Sequence, residues 1–241
     1  YDNLSNGIIS GYIGTGNEFY GNIVFHNGCV TGSNNPRSHG AYIQNDNSSQ
    51  RKTFENNILF NNYRTGIHAY SDGGKIIGVS LIGNIVFNNG MMRQSGMSDK
   101  NIIAGTGGGG RDNINIENNC TYNNPETQGT GIQAGYGGIN NNTVVRNNKI
   151  FNGLHPFYFS GWYKTEVTNN TVAANVQSVL IQLVLPETSL GVKFSDYTIN
   201  NNTYYTATPA STSFMYQYEN TGDTKVAFTQ WQSNTGFDRN S

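Results

Sequence analysis

The stretch GNIVFNNG at residues 83–90 decides the fold, because close variants of it recur along the chain. The other phrases are GNIVFHNG from Gly21, NNILFNN from Asn56, NNCTYNN from Asn118, NNKIFNG from Asn147, NNTVAAN from Asn169 and NNTYYT from Asn201. One asparagine marks each phrase: Asn22, Asn57, Asn84, Asn119, Asn148, Asn170 and Asn202. The markers are 35, 27, 35, 29, 22 and 32 residues apart. These spacings indicate one supersecondary unit per repeat, with insertions of variable length looped out.

Residues at fixed offsets from the markers are alike. Three residues before them stand Phe19, Phe54, Leu81, Ile116, Val145, Val167 and Ile199. Three residues after them stand Phe25, Phe60, Phe87, Tyr122, Phe151, Ala173 and Tyr205. Such columns are expected when strands stack about 4.8 Å apart, each on its counterpart in the next repeat. Asparagine suits the turns, because it tolerates left-handed backbone angles and its amide can bond to the next amide in a ladder.

The recurring phrases resemble those of the right-handed parallel β-helix proteins of the pectate-lyase-like superfamily, over residues 7 to about 205. The ending FTQWQSNTGFDRNS is similar to a segment that closes many such helices. More chain usually follows in those proteins, so Ser241 is a candidate truncation point. We therefore expect an all-β fold: a single-stranded right-handed parallel β-helix, or solenoid, of about eight coils with Asn-rich turns. It would form a single domain over residues 1–241, with a last coil and C-terminal cap in 206–241.

A second strand in each coil begins near Gly7, Gly40, Gly66, Asn101, Gly131, Pro156, Ser178 and Ser213. Its second and fourth positions are largely apolar and should point inward, so its third and fifth positions should point outward. The third position holds Tyr42, His68, Gln133 and Tyr158, and the fifth holds Gln44, Tyr70, Ser160, Gln182 and Gln217. Further along the chain lie Asp46, Asp72 and Trp162. This alignment stacks Tyr42 over His68, Gln44 over Tyr70, and Asp46 over Asp72.

The predicted outer face suits a sugar polymer, since aromatic rings cover pyranose rings while amides, carboxylates and imidazoles bind hydroxyl groups. We therefore predict a carbohydrate-active protein that works on the face built by coils two to six. The candidate catalytic residues are His39, Tyr42, His68, Tyr70, Asp46 and Asp72. The candidate substrate-binding residues are Gln44, Lys52, Arg111, Gln133, Tyr158 and Trp162.

Two cleavage chemistries fit these residues. Eliminative cleavage of an acidic polysaccharide needs a base, an acid and a cation, which histidine, tyrosine and Lys52 or Arg111 could supply. Hydrolysis needs two carboxylates, which stacked Asp46 and Asp72 could supply. The same two aspartates are candidate Ca²⁺ ligands, and no other cofactor is predicted. We favour a polysaccharide lyase over a glycoside hydrolase; the superfamily resemblance implies lyases with an Arg or Lys base, but the chain carries no recognisable motif of that kind.

The alternative to an enzyme is a non-catalytic glycan-binding module, such as part of an adhesin or phage tail, or a purely structural solenoid. Nucleic acid is a poor partner, because only 12% of residues are charged and the net charge is −1. No apolar run is long enough to span a bilayer, so no membrane insertion is expected. A secreted or cell-surface location is expected, with the signal peptide absent from this sequence. Cys29 and Cys120 lie on distant coils and should be free thiols.

Overall fold

Three long β-sheets run the length of the solenoid. The computed structural model describes residues 1–12, 14, 16–29, 38–47, 49–91, 100–106, 110–125, 129–135, 140–160, 164–175, 179–185, 191–207, 213–218 and 222–241. Sheet A contains β1 (Ile8–Ser10), β4 (Ala41–Ile43), β7 (Ile67–Ser71), β10 (Lys100–Thr106), β13 (Thr130–Ala134), β16 (His155–Ser160), β19 (Ile181–Leu185), β22 (Phe214–Tyr218) and β23 (Thr224–Val226).

Sheet B contains β2 (Glu18–Tyr20), β5 (Lys52–Glu55), β8 (Ile76–Ile82), β11 (Arg111–Glu117), β14 (Asn140–Arg146), β17 (Thr165–Thr168) and β20 (Tyr197–Asn200). Sheet C contains β3 (Ile23–Phe25), β6 (Ile58–Phe60), β9 (Ile85–Phe87), β12 (Cys120–Tyr122), β15 (Lys149–Phe151), β18 (Thr171–Ala174) and β21 (Thr203–Thr206). A 3-10 turn at Phe194–Asp196 precedes β20, and helix α1 (Phe228–Thr235) follows β23.

Each of the first seven coils contributes one strand to each sheet, and the eighth contributes β22 to sheet A; each of these strands pairs in parallel with its counterparts in the neighbouring coils. The exception among the described strands is β23, which pairs antiparallel with β22. The prediction of an all-β parallel β-helix of about eight coils is confirmed, since sheet A holds eight parallel strands. The predicted columns are confirmed as well: Leu81 pairs with Phe54 and Ile116, and Phe87 pairs with Phe60 and Tyr122.

The core is a continuous apolar column enclosed by the three sheets. Fully buried aliphatic and aromatic side chains follow one another from coil to coil, including Ile67, Ile102, Ile132 and Phe157 in sheet A. Each such side chain contributes roughly 1.5–3 kcal/mol when it is removed from water. The core therefore grows with each coil that is added.

The marker asparagines form a buried ladder at the corner between sheets B and C. In every rung, the backbone N–H and the Nδ2 of one asparagine donate to Oδ1 of the asparagine in the next coil, at 2.8–3.1 Å. Within the ladder Nδ2 also donates to a strand carbonyl of the preceding coil, as Asn119 does to Leu81 at 2.8 Å. The ladder thus satisfies polar groups that the corner would otherwise bury without partners.

The residue before each marker has a left-handed backbone conformation. These residues are Gly21, Asn56, Gly83, Asn118, Asn147, Asn169 and Asn201, with φ between 54° and 69°. Glycine and asparagine adopt this conformation at the lowest cost, which explains why only those two residue types precede the markers.

A second ladder joins the coils at the corner that follows sheet C. Its amides run from Asn3 to Asn27, Asn62, Asn89, Asn101 and Asn123, at 2.9–3.1 Å. Sequence analysis missed this ladder, although its first members close the repeated phrases. The fourth coil supplies two members, Asn101 in β10 and Asn123 after β12, and the extra member in β10 hides the pattern in the sequence.

The C-terminal segment ends the first ladder with a carboxylate. Asp238 is fully buried, and its Oδ1 accepts from Asn202 Nδ2 at 2.9 Å and from Ser241 Oγ at 2.8 Å. Its Oδ2 accepts from Tyr204 Oη at 2.8 Å and from Trp231 Nε1 at 3.0 Å. Asp238 therefore takes the acceptor position that an asparagine of a further coil would occupy.

The predicted register of coil seven is wrong by two residues. The alignment placed Val179 opposite Phe157, whereas Ile181 occupies that position and pairs with Phe157 and Phe214. A two-residue shift leaves the alternation of inward and outward side chains unchanged, so the hydrophobic pattern could not reveal it. One consequence is that Gln182 moves from the fifth outward position to the third.

We expect Asn119→Ala to lower the free energy of unfolding by about 2–4 kcal/mol, because it deletes ladder bonds on both sides and leaves buried donors and acceptors unpaired. Chemical denaturation measures the change. The matched control is Asn141→Ala, which alters an exposed asparagine of β14 and should change stability by about 0.5 kcal/mol or less. Equal effects of the two variants would show that the ladder does not stabilise the solenoid.

We expect Asp238→Asn to destabilise the protein by about 1–3 kcal/mol, because an amide in place of Oδ2 would turn its hydrogens towards the Tyr204 and Trp231 donors. Asp238→Ala should cost more, since it removes both acceptor oxygens. Thermal melting of the two variants, beside the exposed-site control Asp223→Asn, measures these effects. A melting temperature for Asp238→Asn equal to that of the control would contradict the need for a carboxylate.

Candidate functional site

The outer face of sheet A is most open at coils one to three, where Ile9 of β1 is 62% exposed and pairs with Tyr42. In its third-position column the side chains of Ile103, Gln133, Gln182 and Met215 are buried. Tyr42 and His68, which pair with each other in β4 and β7, remain partly exposed. The candidate site is therefore smaller than the predicted face of coils two to six.

Two histidines and two tyrosines form a contact cluster at this opening. His68 Nδ1 lies 2.9 Å from His39 Nε2, and the two rings have centroids 4.0 Å apart. The His68 ring stacks on Tyr70 at 4.8 Å with an interplanar angle of 15°. Tyr42 meets His68 edge to face at 5.2 Å. The structure thus brings together His39, Tyr42, His68 and Tyr70, four of the six residues predicted to be catalytic.

His68 is held as a neutral imidazole. Burial lowers its pKa well below the usual 6.5, and the nearby charges of His39, Arg64 and Lys100 lower it further. A neutral imidazole presents a lone pair that can accept a proton near neutral pH. The His68 imidazole is therefore unprotonated near neutral pH, and the same lowering of its pKa makes it a weaker base than a free histidine.

Tyr42 is held in its protonated form. Its pKa is raised to about 12, mainly by burial and also by the charges of Asp72, Tyr12 and Tyr70. Gln44 Nε2 donates to Tyr42 Oη at 3.2 Å, which opposes this rise. Tyr42 can therefore donate a proton beside a base that can accept one.

Tyr12 of coil one also belongs to the site, and sequence analysis missed it. Its hydroxyl donates to Ser71 Oγ, which in turn accepts from the backbone N–H of Gly74 at 2.8 Å. A Cβ at Gly74 would lie 2.3 Å from the Tyr12 hydroxyl, so a larger residue at this position would clash with the Tyr12 side chain. Tyr12 follows the short strand β1 and reaches coil three, a contact that the repeat pattern does not encode.

Arg64 and Lys100 are the other residues that sequence analysis missed. Both contribute positive charge at His68. Lys100 begins β10 at the position that His39 occupies two coils earlier, because Ile102 pairs with Ile67 and Ile67 pairs with Ala41. Because Lys100 and His39 share a position in the aligned strands, an alignment of the coils could have identified Lys100 from the sequence.

Three predicted substrate-binding residues are buried instead of lying open on the face. Lys52 is 1% exposed, and its Nζ donates to the carbonyls of Gly11 and Gln44, the latter at 2.8 Å. Arg111 is buried next to Tyr70, and this burial lowers its pKa. Gln133 is buried and its Nε2 donates to the Gly135 carbonyl at 2.7 Å. Lys52 fixes the backbone that carries Tyr12 and Gln44, so it supports the site from within.

The predicted stacking of Asp46 over Asp72 is wrong. The backbone of Asp46 pairs with Ile77 of the next coil, because the chain turns at Asn45, whose Nδ2 donates to the carbonyls of Ile77 and Gly78 at 2.8 and 2.9 Å. Asp72 lies in the turn after β7 and acts electrostatically on Tyr42. The two aspartates therefore belong to different parts of the corner.

The other predicted groups add little to the cluster. Tyr158 is partly exposed in β16 and pairs with Gln133 and Gln182, whereas Trp162 lies outside the described residues.

Within the described part of the chain, no three His, Cys, Asp or Glu side chains converge as a metal site would require. Cys29 and Cys120 are not joined by a disulfide, as predicted. None of the described helices is long and apolar enough to cross a membrane.

Comparison of the chain with known protein families, curated proteins and solved structures gives no match.

We expect acid to destabilise the native protein through His68. An unfolded histidine binds a proton near pH 6.5, whereas native His68 resists protonation until a lower pH. The unfolded state therefore binds more protons as the pH falls from about 6.5 through the lowered pKa of His68, and the free energy of unfolding decreases over that window. In His68→Gln this decrease should be shallower, as measured by melting temperature against pH. A His68→Gln slope equal to that of the native protein would contradict the assignment.

Proposed function

We propose that the protein cleaves an acidic extracellular polysaccharide by β-elimination, at the cluster of His39, Tyr42, His68 and Tyr70. The observation that carries the proposal is a neutral histidine beside a protonated tyrosine on the open part of sheet A, with cationic side chains nearby. Such a substrate would require the protein to be secreted or held at the cell surface.

Elimination from a uronic acid needs a base for the proton on C5. His68 fills this role, because its imidazole is neutral and its ring lies in the partly exposed region between Tyr42 and Tyr70. The C5–H bond breaks, and its electron pair forms the C4–C5 double bond as the C4–O bond to the leaving sugar breaks. General base catalysis of this kind contributes typically 10²–10⁴-fold to a rate.

The leaving oxygen needs a proton, and the substrate carboxylate needs positive charge to stabilise the negative charge that develops beside it. The Tyr42 hydroxyl can supply the proton, since its raised pKa keeps it protonated. Arg64 and Lys100, whose charges act at His68, can supply the positive charge. Cations at a site from which water is excluded stabilise a developing anion more strongly than they do in water.

A hydrolase is less well supported, because Asp46 and Asp72 are not aligned as a carboxylate pair across two coils. Glycan binding without cleavage is the second candidate. The partly exposed rings of Tyr42 and Tyr70, together with the Gln44 amide, suit the faces and hydroxyl groups of a sugar. Binding alone would not need the neutral base and protonated acid that lie side by side here.

The test is a panel of alginate, pectate, polygalacturonate and glycosaminoglycans, incubated with the protein with and without Ca²⁺. We expect at least one polymer to give unsaturated products, detected by ultraviolet absorbance, together with new reducing ends. His68→Ala and Tyr42→Phe should each lower kcat at least 10²-fold, because each removes a proton-transfer group.

The control variants are His26→Ala and Tyr205→Phe, which alter exposed residues away from the cluster and should retain full activity. Reducing ends without absorbance would indicate a hydrolase and overturn the lyase assignment. Retention of a polymer on the protein with no product from any substrate would favour the glycan-binding module.

A further inference from the structure

The contact between His39 and His68 requires a shared proton. His39 Nε2 and His68 Nδ1 are 2.9 Å apart, a distance at which two lone pairs would repel each other. One nitrogen must therefore carry a hydrogen that the other accepts, and the two rings form one hydrogen-bonded pair. Groups coupled in this way titrate as a pair and not as independent residues.

The two histidines are placed for different tasks. His39 is 2% exposed, and its backbone N–H is held by Asn6 Oδ1 at 2.8 Å, so it is fixed behind the cluster. His68 is partly exposed, with Tyr70 stacked on its face and Tyr42 against it. Only His68 can meet a substrate on the open face of sheet A.

We propose that His39 is a positioning residue that fixes the tautomer of His68: Nδ1–H of His68 donates to Nε2 of His39, which leaves a lone pair on Nε2 of His68. The direction of this hydrogen bond rests on the proposed function, since the opposite tautomer would put a hydrogen on the nitrogen that must act as the base. When Nε2 of His68 takes the C5 proton, its Nδ1 proton shifts towards His39 and the positive charge spreads over both rings. The proton is later released to solvent, and Tyr42 regains the one it gave to the leaving oxygen.

The groups around the pair explain why it needs this arrangement. Burial opposes a positive charge on His68, as do a charge on His39 and the charges of Arg64 and Lys100, while the rings of Tyr42 on the preceding coil and Tyr70 on the same coil contact the His68 ring. A lone imidazole in that setting would be a weak base. A neutral His39 that accepts the Nδ1 hydrogen strengthens His68 as a base, because the charge that forms on proton transfer is shared. A protonated His39 would instead lower the pKa of His68.

The experiment is ¹⁵N NMR of the full chain with labelled histidine, as a function of pH and without substrate. The protein has four histidines, so the imidazole signals can be assigned with single variants. We expect a through-hydrogen-bond coupling between His39 Nε2 and His68 Nδ1, with the hydrogen on His68 Nδ1. In His39→Gln the titration of His68 should shift, while that of the exposed control His26 should not.

Three results would overturn the inference: no coupling between the two rings, a hydrogen on Nε2 of neutral His68, or a His68 titration that His39→Gln leaves unchanged. These measurements need no substrate, so they stand apart from the polysaccharide panel. If the panel yields a lyase, His39→Gln should lower kcat about 10-fold or more with little change in KM, and shift the acidic limb of the pH profile. A change in KM alone would indicate a merely structural role for His39.

Discussion

The hydrogen bond from one asparagine amide to the next is the interaction on which the rest of the structure depends. It passes from Asn22 to Asn202 through seven coils and keeps the corner between sheets B and C in the same place each time. Because the strands beside it are short, three or four residues in most coils of sheet C, their own ladders would fix the register only weakly. The buried amides add a polar constraint that a shifted coil could not satisfy.

This constraint has consequences at both the turns and the C-terminal end. Each rung requires a left-handed residue before it, which limits that position to glycine or asparagine among the described corners. The last rung requires an acceptor, and Asp238 supplies it from a segment that also packs Trp231 and Phe237 against the final coils. The carboxylate closes the ladder because it accepts hydrogen bonds and offers none onward.

The candidate site arises where the regular pattern is interrupted. Sheet A repeats the same strand from coil to coil, yet its outer side chains are mostly covered after coil three. At coils two and three the cluster is completed by residues that lie before or after the strands: His39 before β4, Tyr12 after β1, Arg64 before β7 and Asp72 after it. The regular solenoid thus sets the spacing between the strands of sheet A, and the irregular corners provide several of the polar side chains of the cluster.

The sequence by itself determined the fold class, the coil number, the Asn-rich corners and the pairing of Tyr42 with His68. It could do so because a solenoid repeats its contacts locally, so that like residues recur at like offsets. It did not determine the register of coil seven, since a two-residue shift preserves the apolar alternation. Nor did it show that Lys52 and Arg111 are buried, that Asp46 leaves the column of Asp72, or that Tyr12 joins the site. Those features depend on where the chain turns between sheets, and only the tertiary structure decides this. The geometry of a turn follows from contacts between residues far apart in the sequence, such as that of Asn45 with Ile77.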